Sequence, residues 1–315
     1  MSASKAIERP TVSAVITSLD GSRGGNVERL LKQLSEQTYS EFEVVLVTGA
    51  SPRTRAHNIG VRNASGEIIV FFDDDVALGE PNLIANLVQI LGRPGIGIVG
   101  ASVLVPPDST PFQRRCAEQL LRITFDIVDK MVEGGATHAA LAIAKADYDA
   151  FGGEVDTMQM NDDVYLRKSI ADMGQKIVLA PHAWVYHPLP DSWGRLIKKR
   201  FADGLAIAGD YKLHPEHIYY SPIESHEELE SSGLLRQMAR NLSVLTRAIT
   251  GLKIISLSER LSLAVGYALG ALRSKNYHHR SLERLSSDGK IRRWRKRGSM
   301  LELIEDQESV GEIRA

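Results

Sequence analysis

The chain has 315 residues, 43% of them apolar and 24% charged, and a formal net charge of −1 at pH 7. That length holds one large α/β domain plus an appendage, and the near-neutral balance excludes nucleic-acid binding by bulk charge and acidic disorder alike. The single cysteine, Cys116, excludes an intramolecular disulfide and suits a reducing compartment.

Residues 1–10 form a short polar arm with Lys5, Glu8 and Arg9 and no apolar core of signal-peptide length. Short apolar runs then alternate with helical patterns, as in a mostly parallel sheet flanked by helices. Val12 to Ile16 reads as a strand ending in the polar turn Thr17-Ser18-Leu19-Asp20-Gly21. Val27 to Gln37 sets Leu30, Leu31 and Leu34 on one helical face. Phe42 to Val47 is a second strand, closed by Thr48-Gly49, and a loop with Pro52, Arg53 and Arg55 leads to a helix over Ala56 to Ala64. Ile68 to Phe72 is apolar throughout, as a central strand buried on both faces must be.

Farther on, Pro81 to Leu91 reads as a helix and Ile96 to Val105 as a strand. The stretch from Asp108 to Ala146 has no clean period. Asn161 to Met173 is a helix, with Asn161 as N-cap and Asp162 and Asp163 favoured by its dipole. Ile177 to Ala180 is a short strand stopped by Pro181. From residue 225 the pattern changes to a basic amphipathic helix (Leu234 to Ile255), an apolar helix (Leu257 to Leu272) and the basic run Lys290 to Arg297. Leu261 to Leu272 is too short to span a bilayer. The expected division is an arm (1–10), a main domain (11–224), a helical basic appendage (225–300) and a loose polar tail (301–315). The appendage reads as a peripheral membrane contact through residues 234–297, with a packing or dimerisation arm as the competing explanation. The expected location is cytoplasmic, at the inner face of the cell membrane. No nucleic-acid partner is expected.

Asp73, Asp74 and Asp75 follow the buried strand directly. Adjacent like charges raise one another's pKa, and a divalent cation relieves that strain. The carboxyl ends of strands in an open α/β sheet are also where ligands bind. Mg²⁺ held by one or two carboxylates completes its shell with water and substrate phosphates. The triplet therefore predicts a metal–diphosphate site.

The order of pieces from Val12 to Asp75 resembles the family 2 glycosyltransferases of the GT-A fold. Leu34-Ser35-Glu36-Gln37-Thr38-Tyr39, Ala56-His57-Asn58-Ile59-Gly60, Ala64-Ser65-Gly66-Glu67 and the aspartate triplet stand in the family's sequence of motifs. The likeness extends, more loosely, to about residue 204, through Phe151-Gly152-Gly153-Glu154-Val155-Asp156 and Asn161-Asp162-Asp163-Val164.

The resemblance implies an α/β, Rossmann-like GT-A domain with a C-terminal helical appendage. It implies an inverting, metal-dependent transfer of one sugar from a nucleoside-diphosphate sugar to an acceptor hydroxyl. The acceptor would be a glycan or lipid-linked. Asp163 maps to the general base. Asp73, Asp75 and His187 map to the Mn²⁺ or Mg²⁺ ligands. Thr17, Ser18, Thr48, Arg55, Asn58, Asp73, Asp74 and Arg200 are assigned to the nucleotide sugar. The family's acidic pair at the end of the second strand is replaced by Val47-Thr48-Gly49-Ala50, which leaves the base open among uracil, guanine and thymine. The Gln-x-x-Arg-Trp motif of polymerising members is absent, which favours single-sugar transfer. Two other readings stay open: a nucleotidyltransferase, and a degenerate binding protein of the same fold.

Overall fold

The computed structural model describes residues 11–120, 126–217, 253–285, 287 and 289–307. Strands β1 (Val12–Ser18), β2 (Phe42–Thr48) and β3 (Ile68–Asp73) are mostly apolar and buried at almost every position because both of their faces are covered. They pair in parallel in the order β2-β1-β3, with Thr17 level with Val47 on one side and Asp73 on the other. The polar turn after β1 and the aspartates after β3 therefore leave the sheet side by side.

Alternation along each strand divides the core between two layers. Ala14, Ile16, Val70 and Phe72 pack towards α1 (Asn26–Ser35) and α3 (Leu83–Leu91). Val15, Ile69 and Phe71 pack towards α2 (Arg53–Arg62) and α6 (Asp162–Asp172). Gly60 permits the close seat of α2, because a Cβ there would collide with Val15. Helix α2 starts earlier than the sequence pattern suggests, so Arg53 is its first residue and not part of a loop.

Beyond β3 the sheet continues as β7 (Ala140–Ala144), β5 (Ile96–Leu104), β8 (Lys176–Tyr186) and the two-residue β4 (Ala77–Leu78). Strand β7 is antiparallel to both β3 and β5, whereas β5 and β8 are parallel. The sheet is thus mixed, with a mostly parallel centre. The region without a clean period resolves into α4 (Pro111–Gln119), begun by a capping box between Thr110 and Gln113, then β6 (Val132–Glu133), β7 and α5 (Lys145–Ala150).

Three expectations need correction. Pro181 does not end the eighth strand, which runs on to Tyr186. The β5–β8 register shifts between Gly100 and Ser102, and His182 adopts φ 53°, so an irregularity absorbs the proline. Asn161 does not cap α6 through its side chain, which reaches Asp210 instead.

The basic run and the start of the supposed tail are strands, not helix and loose chain. β9 (Lys290–Arg297) pairs antiparallel with β2, and β10 (Met300–Gln307) pairs with β9. Both faces of the two strands are used: Ile291 packs on one core layer and Trp294 and Leu301 on the other, while Arg292, Arg293 and Arg297 meet Asp306, Glu43 with Glu305, and Glu302. The helices α7 (Trp193–Leu213), α8 (Ile254–Ala271) and α9 (Lys275–Leu285) complete the described chain. The expected arm and most of the helix Leu234 to Ile255 lie outside the described residues, as does 308–315.

Candidate active site

Strand β3 delivers Asp73 to the carboxyl edge of the sheet, and Asp74 and Asp75 follow in the turn. His187 arrives from the other side, immediately after β8, with its amide donating to Leu104 O at 2.9 Å. Its Nδ1 lies 3.1 Å from Pro188 O. A carbonyl only accepts, so Nδ1 carries the proton and Nε2 presents its lone pair. That Nε2 is 3.3 Å from Asp75 Oδ1 and 3.8 Å from Asp73 Oδ2. One ligand atom from each of Asp73, Asp75 and His187 lies within 4.8 Å of the others. Two carboxylates and an imidazole, all partly exposed, suit a divalent cation with positions left for phosphate and water.

Asp74 turns the other way, accepting a 2.6 Å hydrogen bond from the Ser18 hydroxyl. Burial pushes its pKa up, opposed by Ser18 and by Arg23. Arg23 sits 3.6 Å from Asp74 and 3.3 Å from Asp75. These groups border a cleft of about 320 Å³ lined also by Thr17, Arg53 and Lys199.

A second set of charges lies behind the cleft. Arg53 extends one amine 3.7 Å from Asp73 and the other 2.5 Å from Asp162. Asp162 is 1% exposed, whereas Asp163 keeps 29% of its side chain open. Asp163 Oδ1 accepts from the His138 amide at 2.9 Å and lies 2.6 Å from His138 Nδ1. His138 Nε2 lies 2.8 Å from Glu154 Oε1, and His57 Nδ1 lies 2.8 Å from Glu154 Oε2. Burial works against all three of the following charges. Even so, Glu154 and Asp163 hold His138 well above the ordinary imidazole range, and His138 and His57 bring Glu154 down to about 2. His138, with Arg167 and Arg53, holds Asp163 below the usual carboxylate range. His57, His138 and Asp162 also bring donor atoms together, but the Arg53 guanidinium already supplies the positive charge at Asp162.

Of the sequence-assigned residues, Thr17, Ser18, Asp73, Asp74, Asp75 and His187 line the cleft together. Asp163 joins them indirectly, one residue beyond the Asp162 that Arg53 ties to Asp73. Thr48 ends β2 in register with Ser18 but does not line the cleft, and neither does Arg55. Asn58 is buried, bonded to Tyr148, Asp156 and the Glu154 main chain. Arg200 turns to Asp203 at 2.9 Å and to Glu259 on α8, and its neighbour Lys199 lines the cleft instead. A one-residue step along a helix rotates a side chain by about 100°, so Lys199 and Arg200 point in different directions from α7. Arg23 and His138 carried no sequence signal of their own, being single residues in irregular stretches.

Residues 2–206 match the family described as glycosyltransferase like family 2. The chain belongs to this family. Among solved structures, this glycosyltransferase is similar to the mannosyltransferase PcManGT from Pyrobaculum calidifontis, determined in complex with GDP-Man and Mn²⁺. The identity is 17% and the TM-score 0.55, covering 84% of this chain and 88% of that one. It is also matched, at 14% identity and a TM-score of 0.47 over 74% of this chain and 58% of the other, by GalNAc-T7 with UDP, GalNAc and Mn²⁺. Searching curated protein sequences gives no match. The fold of this glycosyltransferase is GT-A.

Proposed function

We propose that this glycosyltransferase moves one sugar from a nucleoside-diphosphate sugar to an acceptor hydroxyl with inversion, using a divalent cation. The observation that carries the reading is the meeting of Asp73, Asp75 and His187, from the ends of β3 and β8, in one cleft. Mn²⁺ or Mg²⁺ held there would neutralise the charge that develops on the departing diphosphate. Asp74, steered by Ser18, faces the ribose or the sugar. Lys199 takes the phosphate-facing role that the sequence assigned to Arg200, placing a cation where negative charge develops.

Asp163 acts as general base. It takes the acceptor proton as the acceptor oxygen bonds to the sugar's anomeric carbon, while the carbon–phosphate-oxygen bond breaks and the nucleoside diphosphate leaves with the electron pair. Measuring nucleoside diphosphate release from a panel of sugar nucleotides, with Mn²⁺ and with chelator, tests the reading. The expected result is release from one donor that chelator abolishes. Equal release with chelator would remove the metal.

The same reading includes a peripheral membrane contact at the inner face of the cell membrane and a lipid-linked acceptor. Its support moves from the basic run, which is spent on the sheet, to α8. Ile254, Leu261, Ala264, Val265, Ala268 and Leu269 are all exposed, as is Leu272 just beyond, and no polar residue of α8 is. Lys253 and Lys275 flank this face, and Trp193 and Ile197 are exposed on α7, packed beside it. No helix among the described residues is long and apolar enough to cross a membrane. Sedimentation with anionic liposomes, compared with Leu261→Asp/Leu269→Asp, tests it: the variant should stay in the supernatant.

A further inference from the structure

Asp163 is held from behind by a stack of buried groups that the transfer itself does not require. His57 and His138 lie ring on ring at 4.3 Å and 15°, and Phe71 meets His138 edge-on at 5.2 Å. Glu154 addresses both rings with separate oxygens, each 2.8 Å from its nitrogen. His138 then turns its other nitrogen and its own amide onto a single oxygen of Asp163. The loop before His138 is itself fixed, because Arg167 donates to Ala136 O at 2.5 Å. Both histidines and Glu154 are at most 4% exposed.

We infer that His138 is the positioning residue for the base, and that Glu154 and His57 exist to hold it. The inference rests on the reading of Asp163 as base. A carboxylate on the first turn of a helix has two free torsions. Two donors converging on Oδ1 remove that freedom and reserve Oδ2 for the acceptor hydroxyl. The groups facing His138 are Glu154 and Asp163 at contact distance, Asp162 at 3.9 Å and the ring of His57. Arg53 pairs with Asp162, and Arg167 adds positive charge near Asp163. With two carboxylates at its two ring nitrogens, His138 is a fixed imidazolium: Nδ1 donates to Asp163, Nε2 is ion-paired with Glu154, and neither nitrogen accepts. It therefore does not relay the acceptor proton, which stays on Asp163 until solvent removes it.

This role separates from plain structural support by two readouts. In the ¹⁵N-labelled full chain, the His138 ring should remain doubly protonated at about pH 8, well above the ordinary imidazole midpoint near 6.5. Asp163→Asn and Glu154→Gln should each lower that midpoint by about one unit or more. In the release assay, with water as acceptor and the best donor of the panel at saturating Mn²⁺, His138→Gln should lower kcat by about tenfold or more. The KM for the donor should be unchanged, and the acid limb of the pH profile should move up towards the ordinary carboxylate range. A neutral His138 ring at that pH overturns the inference, as does a His138→Gln kcat within about twofold of wild type. If Asp163→Asn releases nucleoside diphosphate normally, the base assignment fails and the inference with it. Should His138→Gln not fold, the ring titration in wild type and Asp163→Asn still decides.

Discussion

The guanidinium of Arg53 lies 2.5 Å from the carboxylate of Asp162, tying the first residue of α2 to the first residue of α6. Asp162 is 1% exposed, so without Arg53 its charge would be buried beside Glu154 and Asp163. Breaking a fully buried pair costs roughly 3–5 kcal/mol. Arg53 is 39% exposed, which discounts the figure to about 2 kcal/mol. Urea denaturation should show that loss for Arg53→Ala and a smaller one for the double variant with Asp162→Asn. Equal losses would mean that the pair contributes nothing of its own.

Asp75→Ala removes a carboxylate from the proposed cation site while leaving the Arg23–Asp74 contact in place. Calorimetric affinity for the best nucleoside diphosphate should fall about tenfold or more in Mn²⁺ and remain unchanged in chelator. An affinity that Mn²⁺ still raises as in wild type places the ion elsewhere.

Asp163→Asn keeps the shape and removes the base. Transfer should drop by about 10²–10⁴-fold with donor binding nearly intact. Wild-type Asp163, held below the usual carboxylate range, stays ionised through ordinary acid pH, so no loss of rate is expected from this group until well below pH 4.

Asp210, on α7, accepts the amides of Gln159 at 3.0 Å and Met160 at 2.9 Å and so pins the loop before α6. Burial raises its pKa from 3.8 to about 7, against those amides. The native state thus binds this proton more tightly than the unfolded chain. The associated stability is full below about pH 4 and is lost as pH rises to about 7. Chemical denaturation from pH 4 to 8 should show a decline that flattens in Asp210→Asn. An identical slope in both proteins rules Asp210 out as its source.

Removing residues 290–315 uncovers the edge of β2, which β9 now pairs from Glu43 to Thr48. An exposed apolar edge strand invites pairing with another chain. Size-exclusion chromatography should show the truncated chain self-associating more than the full one.

The parts of this protein legible in the sequence are those written in consecutive residues. The strand before Asp73 is apolar at every position because the sheet is covered on both sides, and α1 and α6 show their apolar faces for the same reason. The aspartates at a strand end, with His187 and Asp163 downstream, pointed to cation and base chemistry, and three of those side chains converge.

What the sequence could not decide depends on partners distant along the chain. Lys290 to Arg297 looks like a charged helix or tail until Glu43, Glu305 and the β2 edge are present to pair it. Which of Lys199 and Arg200 faces the cleft depends on where α8 offers Glu259. The clamp on Asp163 joins residues from four separate segments, and none of His57, His138 or Glu154 has a reason to be buried until the other two are in place. Local periodicity reports which face of an element is apolar. Only packing supplies the countercharges that allow polar side chains into the interior.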